Sequence, residues 1–390
     1  MFSSRVPRQL HANAFAQALS AARIRGRDLI DLTITNPTRC GITYPAQLFT
    51  RLSDPEVAQY RPEPFGMRSA REAVAADYAR RRIQTRWDRI VLTASTSEAY
   101  SVLFKLLCAP EGDQVLVPAP SYPLFDHLTA LDGVGAVQYA LHYDGRWWVD
   151  LDTLDRAWNP RTRAVLAVSP NNPTGSVVSD EEYLALMERC SARNAALIVD
   201  EVFADYALSP AIEVGSAAAS AAPACLSFRL GGLSKSAALP QLKLGWIAVD
   251  GPAPLVAEAL QRLELICDTY LSVSTPVQVA APDLIDRGAA PRAQVLERIR
   301  SNYRMLRELA SRHPSVDVLN TNAGWSAVIR VAARASEEEI TLDLLEREGV
   351  VVYPGFFFDF PREAFLVVSL LPEPAQFHEG VRRVLERVDG

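Results

Sequence analysis

Three polar clusters in the middle of the chain contain side chains that can carry out chemistry. Asn172 lies in the segment Ser169–Gly175, Asp200 follows an apolar run, and Lys235 lies in the segment Gly232–Ser236. Each cluster follows a predicted strand. Because the carboxyl ends of the strands in an open α/β sheet face one crevice, we expect the clusters to converge although they are far apart in sequence. The sequence therefore predicts one site that holds an amide, a carboxylate and an amine.

This combination matches the chemical needs of pyridoxal phosphate. A lysine such as Lys235 can form a Schiff base with the aldehyde of that cofactor, and a carboxylate such as Asp200 keeps the ring nitrogen protonated so that the ring accepts electrons. Asn172, held by the turn Pro173–Gly175, supplies an amide for the phenolic oxygen. Lys235 and Asp200 are the predicted catalytic residues, and Asn172 is predicted to contact both cofactor and substrate.

Two further segments supply the other contacts that this cofactor needs. Tyr122 follows the apolar run 115–117 and is predicted to stack on the pyridine ring. Ser95, Thr96 and Ser97 lie between a predicted strand and a predicted helix. Because the backbone N–H groups at the start of a helix bind anions, these three residues are predicted to hold the phosphate.

Short apolar runs alternate with helical patterns through the central part of the chain. The runs lie at 90–92, 115–117, 164–168, 196–199 and 244–249, and the helical patterns include 97–107 and 180–194. The second helix is expected to begin after Ser179, an N-cap residue with Glu182 three positions later. This alternation predicts a three-layer α/β/α domain with a mainly parallel sheet.

The pattern changes after Pro254. Long helical patterns at 255–271 and 292–312 are followed by short strands near 326–331 and 365–370, which predicts a smaller α+β domain. A helical stretch at 10–25 is expected to pack on it, and the Ala- and Ser-rich segment 215–224 is expected to be a surface loop. We assign residues 46–282, which include the first of these helical patterns, to a large cofactor-binding domain and residues 1–45 and 283–390 to a small domain.

The composition narrows the choice of partners. The chain has 390 residues, 49% of them hydrophobic, and 40 Lys+Arg against 46 Asp+Glu give a formal net charge of −6. This balance gives no electrostatic reason to expect a nucleic acid or a membrane surface as partner. The cysteines and histidines are scattered without metal-ligand spacing, so no metal site is expected. Without a signal peptide or a membrane span in the sequence, we expect a cytoplasmic protein that acts on small molecules.

The motifs, taken in order, resemble the class I/II aminotransferases, which are pyridoxal-phosphate enzymes of the aspartate aminotransferase fold. The resemblance covers almost the whole chain and is carried by the segments Leu32–Pro37, Tyr60–Gly66, Thr93–Ala99, Pro118–Pro123, Asn172–Gly175, Asp200–Glu201, Ser234–Lys235 and Val352–Gly355. It implies a homodimer that moves an amino group between an amino donor and a 2-oxo acid through the Schiff base on Lys235. It also implies that Lys235 then moves a proton and that Tyr60 reaches the cofactor phosphate in the partner subunit.

Two positions in the cofactor half depart from the family pattern. Lys243 stands where the family has an arginine, and it can still neutralise the phosphate as a point charge. Phe203 stands where the family has a tyrosine, so the phenolic oxygen of the cofactor loses one hydrogen-bond donor. We expect this loss to raise the pKa of the Schiff base.

Two positions in the substrate half also depart from it. Val367 stands where the family has the arginine that binds the carboxylate of the substrate, and Thr35 replaces a glycine of the N-terminal loop that contacts the same group. Thr35, Asn36 and Arg39 are predicted to meet the substrate, with Arg39 or Arg362 as a substitute cation. These changes predict an intact cofactor site beside a specialised substrate site.

Other functions remain open at this level. The same cofactor site would support a lyase or a decarboxylase, because the fate of the substrate depends on which of its bonds stands perpendicular to the ring. A protein that binds pyridoxal phosphate without catalysis is a further alternative. The retained Lys235 argues against an inactive protein, and the lack of an added DNA-binding segment argues against a regulator.

Overall fold

The structure is a computed structural model that describes residues 2–8, 11–212, 214, 223–271 and 273–390. Most of the predicted surface loop at 215–224 lies outside these residues, as does the first residue of the helical stretch predicted at 10–25. No helix in the described part of the chain is long and apolar enough to cross a bilayer.

The strands group into one large sheet and two small ones. In chain order they are β1 (Ile30–Asp31), β2 (Ile90–Thr93), β3 (Gln114–Ala119), β4 (Gly135–Tyr143), β5 (Trp147–Val149), β6 (Thr162–Val168), β7 (Ala196–Asp200), β8 (Ser227–Gly232), β9 (Gly245–Asp250), β10 (Asp317–Val318), β11 (Ser326–Arg330), β12 (Val350–Val351), β13 (Tyr353–Pro354) and β14 (Phe365–Ser369).

The helices connect these strands and cover their faces. In chain order they are α1 (Ala14–Ile24), α2 (Arg68–Arg80), α3 (Thr96–Leu107), α4 (Phe125–Asp132), α5 (Leu151–Ala157), α6 (Asp180–Ala192), α7 (Leu233–Ser236), α8 (Ala253–Tyr270), α9 (Thr275–Arg287), α10 (Ala289–Ala310), α11 (Glu337–Asp343) and α12 (Pro374–Asp389). Ser179 caps α6 through the predicted box, because its hydroxyl accepts from the Glu182 N–H while the Glu182 carboxylate accepts from the Ser179 N–H.

The large sheet has eight strands in the order β2-β9-β8-β7-β6-β3-β4-β5. Strands β8, β7, β6, β3 and β4 are parallel, whereas β9 and β5 run antiparallel to their neighbours. Parallel strands buried on both faces read as continuous apolar runs, and this is why most of these strands are visible in the sequence. The mainly parallel sheet is confirmed, and its carboxyl edge carries Asp200 at the end of β7.

Helices cover both faces of this sheet, which gives the predicted three layers. Leu103 of α3 and Leu263 of α8 are buried in a cluster with one face, while Leu154 of α5 and Leu186 of α6 are buried in a cluster with the other. Burying a leucine side chain stabilises the fold by about 1.5–3 kcal/mol, so these contacts hold the helices onto the sheet.

The chain ends build the smaller sheets. Strands β10-β11-β14-β13 form an antiparallel sheet, and β1 pairs with β12 in parallel, so that Ile30 lies opposite Val350. As expected, α1 packs here, with Phe15 and Ala22 buried against Leu345 and Val351. The domain bounds at residues 46 and 282 stay a prediction.

Candidate active site

Lys235 lies on the one-turn helix α7, directly after strand β8. The turn is tight at Gly232, where an added Cβ would lie 3.1 Å from the Leu244 carbonyl oxygen. The Lys235 Nζ lies 4.6 Å from the ring centroid of Trp325 and 5.3 Å from that of Phe203. Desolvation between these rings lowers the pKa of Lys235 to about 8, although the charge of Asp200 opposes the shift. The chain therefore presents a half-buried lysine whose amine is unusually easy to deprotonate.

Asp200 ends β7 and is almost fully buried. One carboxylate oxygen accepts a hydrogen bond from the Val202 N–H at 3.0 Å, and the other accepts one from the Tyr100 hydroxyl at 2.9 Å. Desolvation raises the pKa of Asp200 to about 6, while these two donors and Lys235 hold it down. At neutral pH the group is an anion in an apolar setting.

The residues present fit the cofactor that the sequence predicts. Among the described residues no arginine, lysine or histidine forms an ion pair with Asp200, and buried charges in proteins are normally paired. A protonated pyridine nitrogen would supply the missing positive charge. Lys235 supplies the amine that an aldehyde requires, so the donor set matches pyridoxal phosphate.

The turn that carries Asn172 is tied to the loop that carries Tyr122. The buried Asn171 accepts a hydrogen bond from the Ser121 hydroxyl at 2.7 Å and donates to the Pro120 carbonyl at 3.0 Å. The Asn172 side-chain oxygen accepts from Ser326 at 3.2 Å, which leaves its NH₂ group available as a donor. Tyr122 keeps 42% of its surface exposed. These contacts hold the predicted amide and the predicted stacking ring beside each other.

The start of α3 has the form of an anion site. The Ser95 hydroxyl caps the helix by accepting from the Glu98 N–H at 3.1 Å, and the N–H groups of Thr96 and Ser97 precede the first intrahelical hydrogen bond. Gly245 packs against this turn, because a Cβ there would lie 2.8 Å from the Ser95 carbonyl carbon and 3.0 Å from the Thr96 nitrogen. Lys243 is exposed two residues before Gly245.

A cavity of about 290 Å³ is lined by Tyr122 and Asn172 among these groups. Its lining contains hydroxyl, aromatic and aliphatic side chains and one amide, from Thr33, Thr35, Tyr122, Pro123, Asn172, Ser326, Tyr353, Phe357, Phe358, Val367 and Ser369. No lysine, arginine or histidine is among these described lining residues. A larger cleft of about 640 Å³, which Arg334 and Arg387 help to line, contains none of the predicted site residues.

The structure brings some of the predicted residues to this cavity and leaves others outside it. Tyr122, Asn172 and Thr35 line it. The Asn36 side chain instead caps the short helix Pro37–Arg39 by accepting from the Thr38 N–H and hydroxyl, and Arg39 is exposed on that helix. Tyr60 is 75% exposed and lines a separate cleft together with Leu271.

Sequence reasoning missed several residues of the site. Tyr100 is separated from Asp200 by a hundred positions, and Ser326 and Tyr353 come from the smaller sheet. Tyr100 follows Thr96 by four positions, so it lies on the same face of α3 as the helix start. That spacing is the one signal that could have pointed to it.

Comparison with known proteins agrees with this geometry. A family model described as aminotransferase class I and II matches residues 39–384. The chain belongs to the class I and II aminotransferases. Members of this family use pyridoxal phosphate to move an amino group between an amino acid or related amine and a 2-oxo acid, so the chain is an enzyme of the aminotransferase type.

Individual aminotransferases match over nearly the full chain. The glutamate-pyruvate aminotransferase AlaA of Haemophilus influenzae is 26% identical over 371 residues, which are 92% of this chain and 90% of that protein. An alanine aminotransferase of Mycobacterium tuberculosis is 27% identical over 379 residues, covering 93% and 87%. A crystal structure of an aminotransferase from Escherichia coli superposes with a TM-score of 0.88 at 23% identity, covering 100% of this chain and 98% of that one. The aspartate aminotransferase fold is thereby confirmed.

Proposed function

We propose that this aminotransferase holds pyridoxal phosphate between Lys235, Asp200 and the start of α3. The observation that carries the proposal is a buried carboxylate without a paired cation in the same site as a half-buried lysine of lowered pKa. When bound, the cofactor supplies an aldehyde that condenses with amines and a ring that withdraws electrons from the carbon beside the amine.

Lys235 has two tasks in this proposal. With its pKa at about 8, roughly two to three hundred times more of the amine is neutral at pH 7 than for an unperturbed lysine. Lys235 would supply the neutral amine that the aldehyde of the cofactor requires, and its free nitrogen would take a proton from the substrate carbon and return it elsewhere. The Trp325 and Phe203 rings keep bulk water away from this nitrogen.

The other residues position the cofactor. Asp200 would hold the proton on the ring nitrogen, the Asn172 NH₂ group would donate to the ring oxygen, and the Tyr122 ring would cover one face. The N–H groups of Thr96 and Ser97 would bind the phosphate beside the Ser95 cap, and the charge of Lys243 would add to them. Tyr122 and Asn172 support this proposal by lining the same cavity.

The substrates are proposed to be an amino donor and a 2-oxo acid. Several of the similar proteins are named for alanine or for glutamate and pyruvate, and these names concern those proteins. Thr35 lies in the lining of the cavity and remains a candidate contact of the substrate, whereas nothing in the described structure adds support for Asn36 or Arg39.

The assembly is proposed to be a cytoplasmic homodimer. A group of apolar side chains on the outside of the large domain supports it: Tyr60 and Leu271 line one cleft, and Leu265 is 72% exposed and Tyr270 57% exposed on α8. Large apolar side chains that stand together on a surface are typical of an interface.

Reductive labelling tests the cofactor site. After addition of pyridoxal phosphate and borohydride, we expect mass spectrometry to find the label on Lys235 and to find none there in Lys235→Ala. Lys243→Ala is the matched control and should keep the label on Lys235 while binding the cofactor more weakly. A wild-type label on another lysine, or no label, would contradict the proposal.

A further inference from the structure

We propose that the preferred amino donor carries an uncharged group, rather than a carboxylate, on the carbon that bears its amine, and that Val367 sets this preference. The inference rests on the proposed function, because it concerns the substrate end of the same cavity. Val367 lines that cavity, and no cationic side chain lines it among the residues that the structure describes.

The wall around Val367 is rigid. Val367 is 2% exposed at the centre of β14, between Val328 of β11 and Tyr353 of β13, and packs in one cluster with Phe358 and Phe365. A buried position on a central strand is held by close packing on every side. No change of rotamer at Val367 can bring a positive charge to this wall of the cavity.

Two of the hydroxyl groups in the cavity have already donated their protons to neighbouring side chains. The Thr33 hydroxyl donates its proton to the Asp31 carboxylate, and the Ser326 hydroxyl donates to the Asn172 side-chain oxygen. Since each hydroxyl has one donor and two lone pairs, these two groups present lone pairs to a ligand. The Ser369 hydroxyl accepts from the Leu371 N–H and keeps its own proton for donation. A set that contains both acceptors and donors matches a hydroxymethyl or carboxamide group, which donates and accepts, better than a carboxylate, which only accepts.

The two candidate substitute cations, Arg39 and Arg362, do not supply a positive charge to the cavity. Arg39 is exposed on its short helix, and the guanidinium of Arg362 lies 6.0 Å from the centroid of the Phe365 ring, also on the outside. Neither lines the cavity. A carboxylate that loses its charge-assisted hydrogen bonds without a replacement is disfavoured by about tenfold to a hundredfold.

Matched donors test the inference in a single half-reaction without any acceptor. Enzyme loaded with pyridoxal phosphate would be mixed with L-alanine, L-alaninol or L-alaninamide, and with the corresponding phenylalanine series. We expect the alcohol or the amide to consume the visible band of the cofactor with a second-order rate constant at least about tenfold above that of the amino acid.

Two variants assign the preference to position 367. Val367→Arg adds a cation and should shift the ratio toward the amino acid by about tenfold to a hundredfold. Val367→Met adds length without charge and should keep the wild-type preference. If Val367→Arg does not fold, the wild-type ratio still decides the inference.

Each outcome has a distinct meaning. A wild-type enzyme that reacts faster with the amino acid in both series overturns the inference and leaves the proposed function standing. If no donor consumes the band although Lys235 is labelled, the inference fails together with amino transfer, while the cofactor site survives. Without a label at Lys235, it is the proposed function that fails.

Discussion

At the scale of single residues, Asp200 determines whether the site can hold a protonated ring. Its burial disfavours the charged form, and the Tyr100 hydroxyl is the one side-chain donor that offsets this cost among the described residues. Tyr100 is itself buried, and burial next to Asp200 raises the pKa of its phenol. It therefore acts as a neutral donor at any physiological pH and positions the carboxylate.

Replacement of Tyr100 by phenylalanine should make the cofactor-free protein less stable in a pH-dependent way. The pKa of Asp200 is about 6 in the fold and about 4 in the unfolded chain, so the folded state binds more protons between these values and stability falls as pH rises through that window. Loss of the Tyr100 hydroxyl raises the pKa of Asp200 in the folded state further. The stability of the variant therefore continues to fall as the pH rises above 6. We expect Tyr100→Phe to lower the free energy of unfolding by about 1.5–3 kcal/mol at pH 7 and by less at pH 5, as measured by urea unfolding.

Tyr139→Phe is the matched control for that measurement. The buried Tyr139 hydroxyl donates to the Leu166 carbonyl at 2.8 Å, and that acceptor does not titrate. Removal of the Tyr139 hydroxyl should lower the free energy of unfolding by the same amount at pH 5 and at pH 7. An equal, pH-independent loss in both variants would show that the Tyr100 hydroxyl does not support the Asp200 charge.

The sequence could nominate only those site residues that carry a recognisable local pattern. Lys235 and Asn172 follow strands β8 and β6, Asp200 ends strand β7, and the topology alone brings strand ends together. It could not predict Tyr100, whose partner is set by how α3 packs on β7. It also placed Arg39 near the substrate, whereas Asn36 caps the following turn and Arg39 stays exposed.

At the scale of elements, the contact between β9 and the start of α3 shapes the predicted phosphate site. Gly245 is the first residue of β9 and lies against the backbone of Ser95 and Thr96. A methyl group there meets backbone atoms, which cannot rotate away, so the first turn of α3 must move. The N–H groups that would bind the phosphate move with it.

We expect Gly245→Ala to weaken binding of pyridoxal phosphate by about tenfold or more, because charge-assisted hydrogen bonds to the phosphate lose their geometry. Gly112→Ala is the control, since its Cβ would meet only the mobile end of the Arg161 side chain. Titration of the visible cofactor band measures both affinities. Equal affinities for wild type and Gly245→Ala would argue against phosphate binding at this turn.

The elements that were predicted and those that were missed differ in their patterns. Strands β6 and β7 each contain an uninterrupted apolar run and helix α6 has its capping box, so all three were predicted within a few residues. Strand β8 was expected before the Lys235 segment but had no bounds among the predicted runs, because the buried Arg229 and two glycines interrupt its apolar sequence. Helix α9 was missed because it contains Pro276 and Pro282, although the first lies where a helix tolerates proline.

At the scale of the whole molecule, the chain ends complete the site that the central sheet begins. Thr33 from the N-terminal segment and Ser326, Tyr353 and Val367 from the four-stranded sheet line the cavity. Tyr122 and Asn172, from the loops that follow strands β3 and β6 of the large sheet, complete the lining. The fold class and the contribution of both chain ends were predicted from the sequence. The set of residues that lines the cavity was not predicted from the sequence, because it depends on how the large sheet and the four-stranded sheet pack against each other.

The proposed dimer makes a prediction at the same scale. Light scattering should give twice the chain mass for the wild type, and Leu265→Asp should shift the protein toward the monomer because it places a charge among exposed apolar side chains. Leu184→Asp is the control, as Leu184 is 49% exposed on α6, against the opposite face of the sheet. A monomeric wild type would contradict the proposal.

The most direct test of amino transfer follows the cofactor through one half-reaction and back. Loaded enzyme should lose the visible band when an amino donor is added, with pyridoxamine phosphate formed in equal amount, and a 2-oxo acid should restore the band. Lys235→Ala should do neither. Release of ammonia or carbon dioxide with the band unchanged would contradict amino transfer and indicate a lyase or a decarboxylase on this fold.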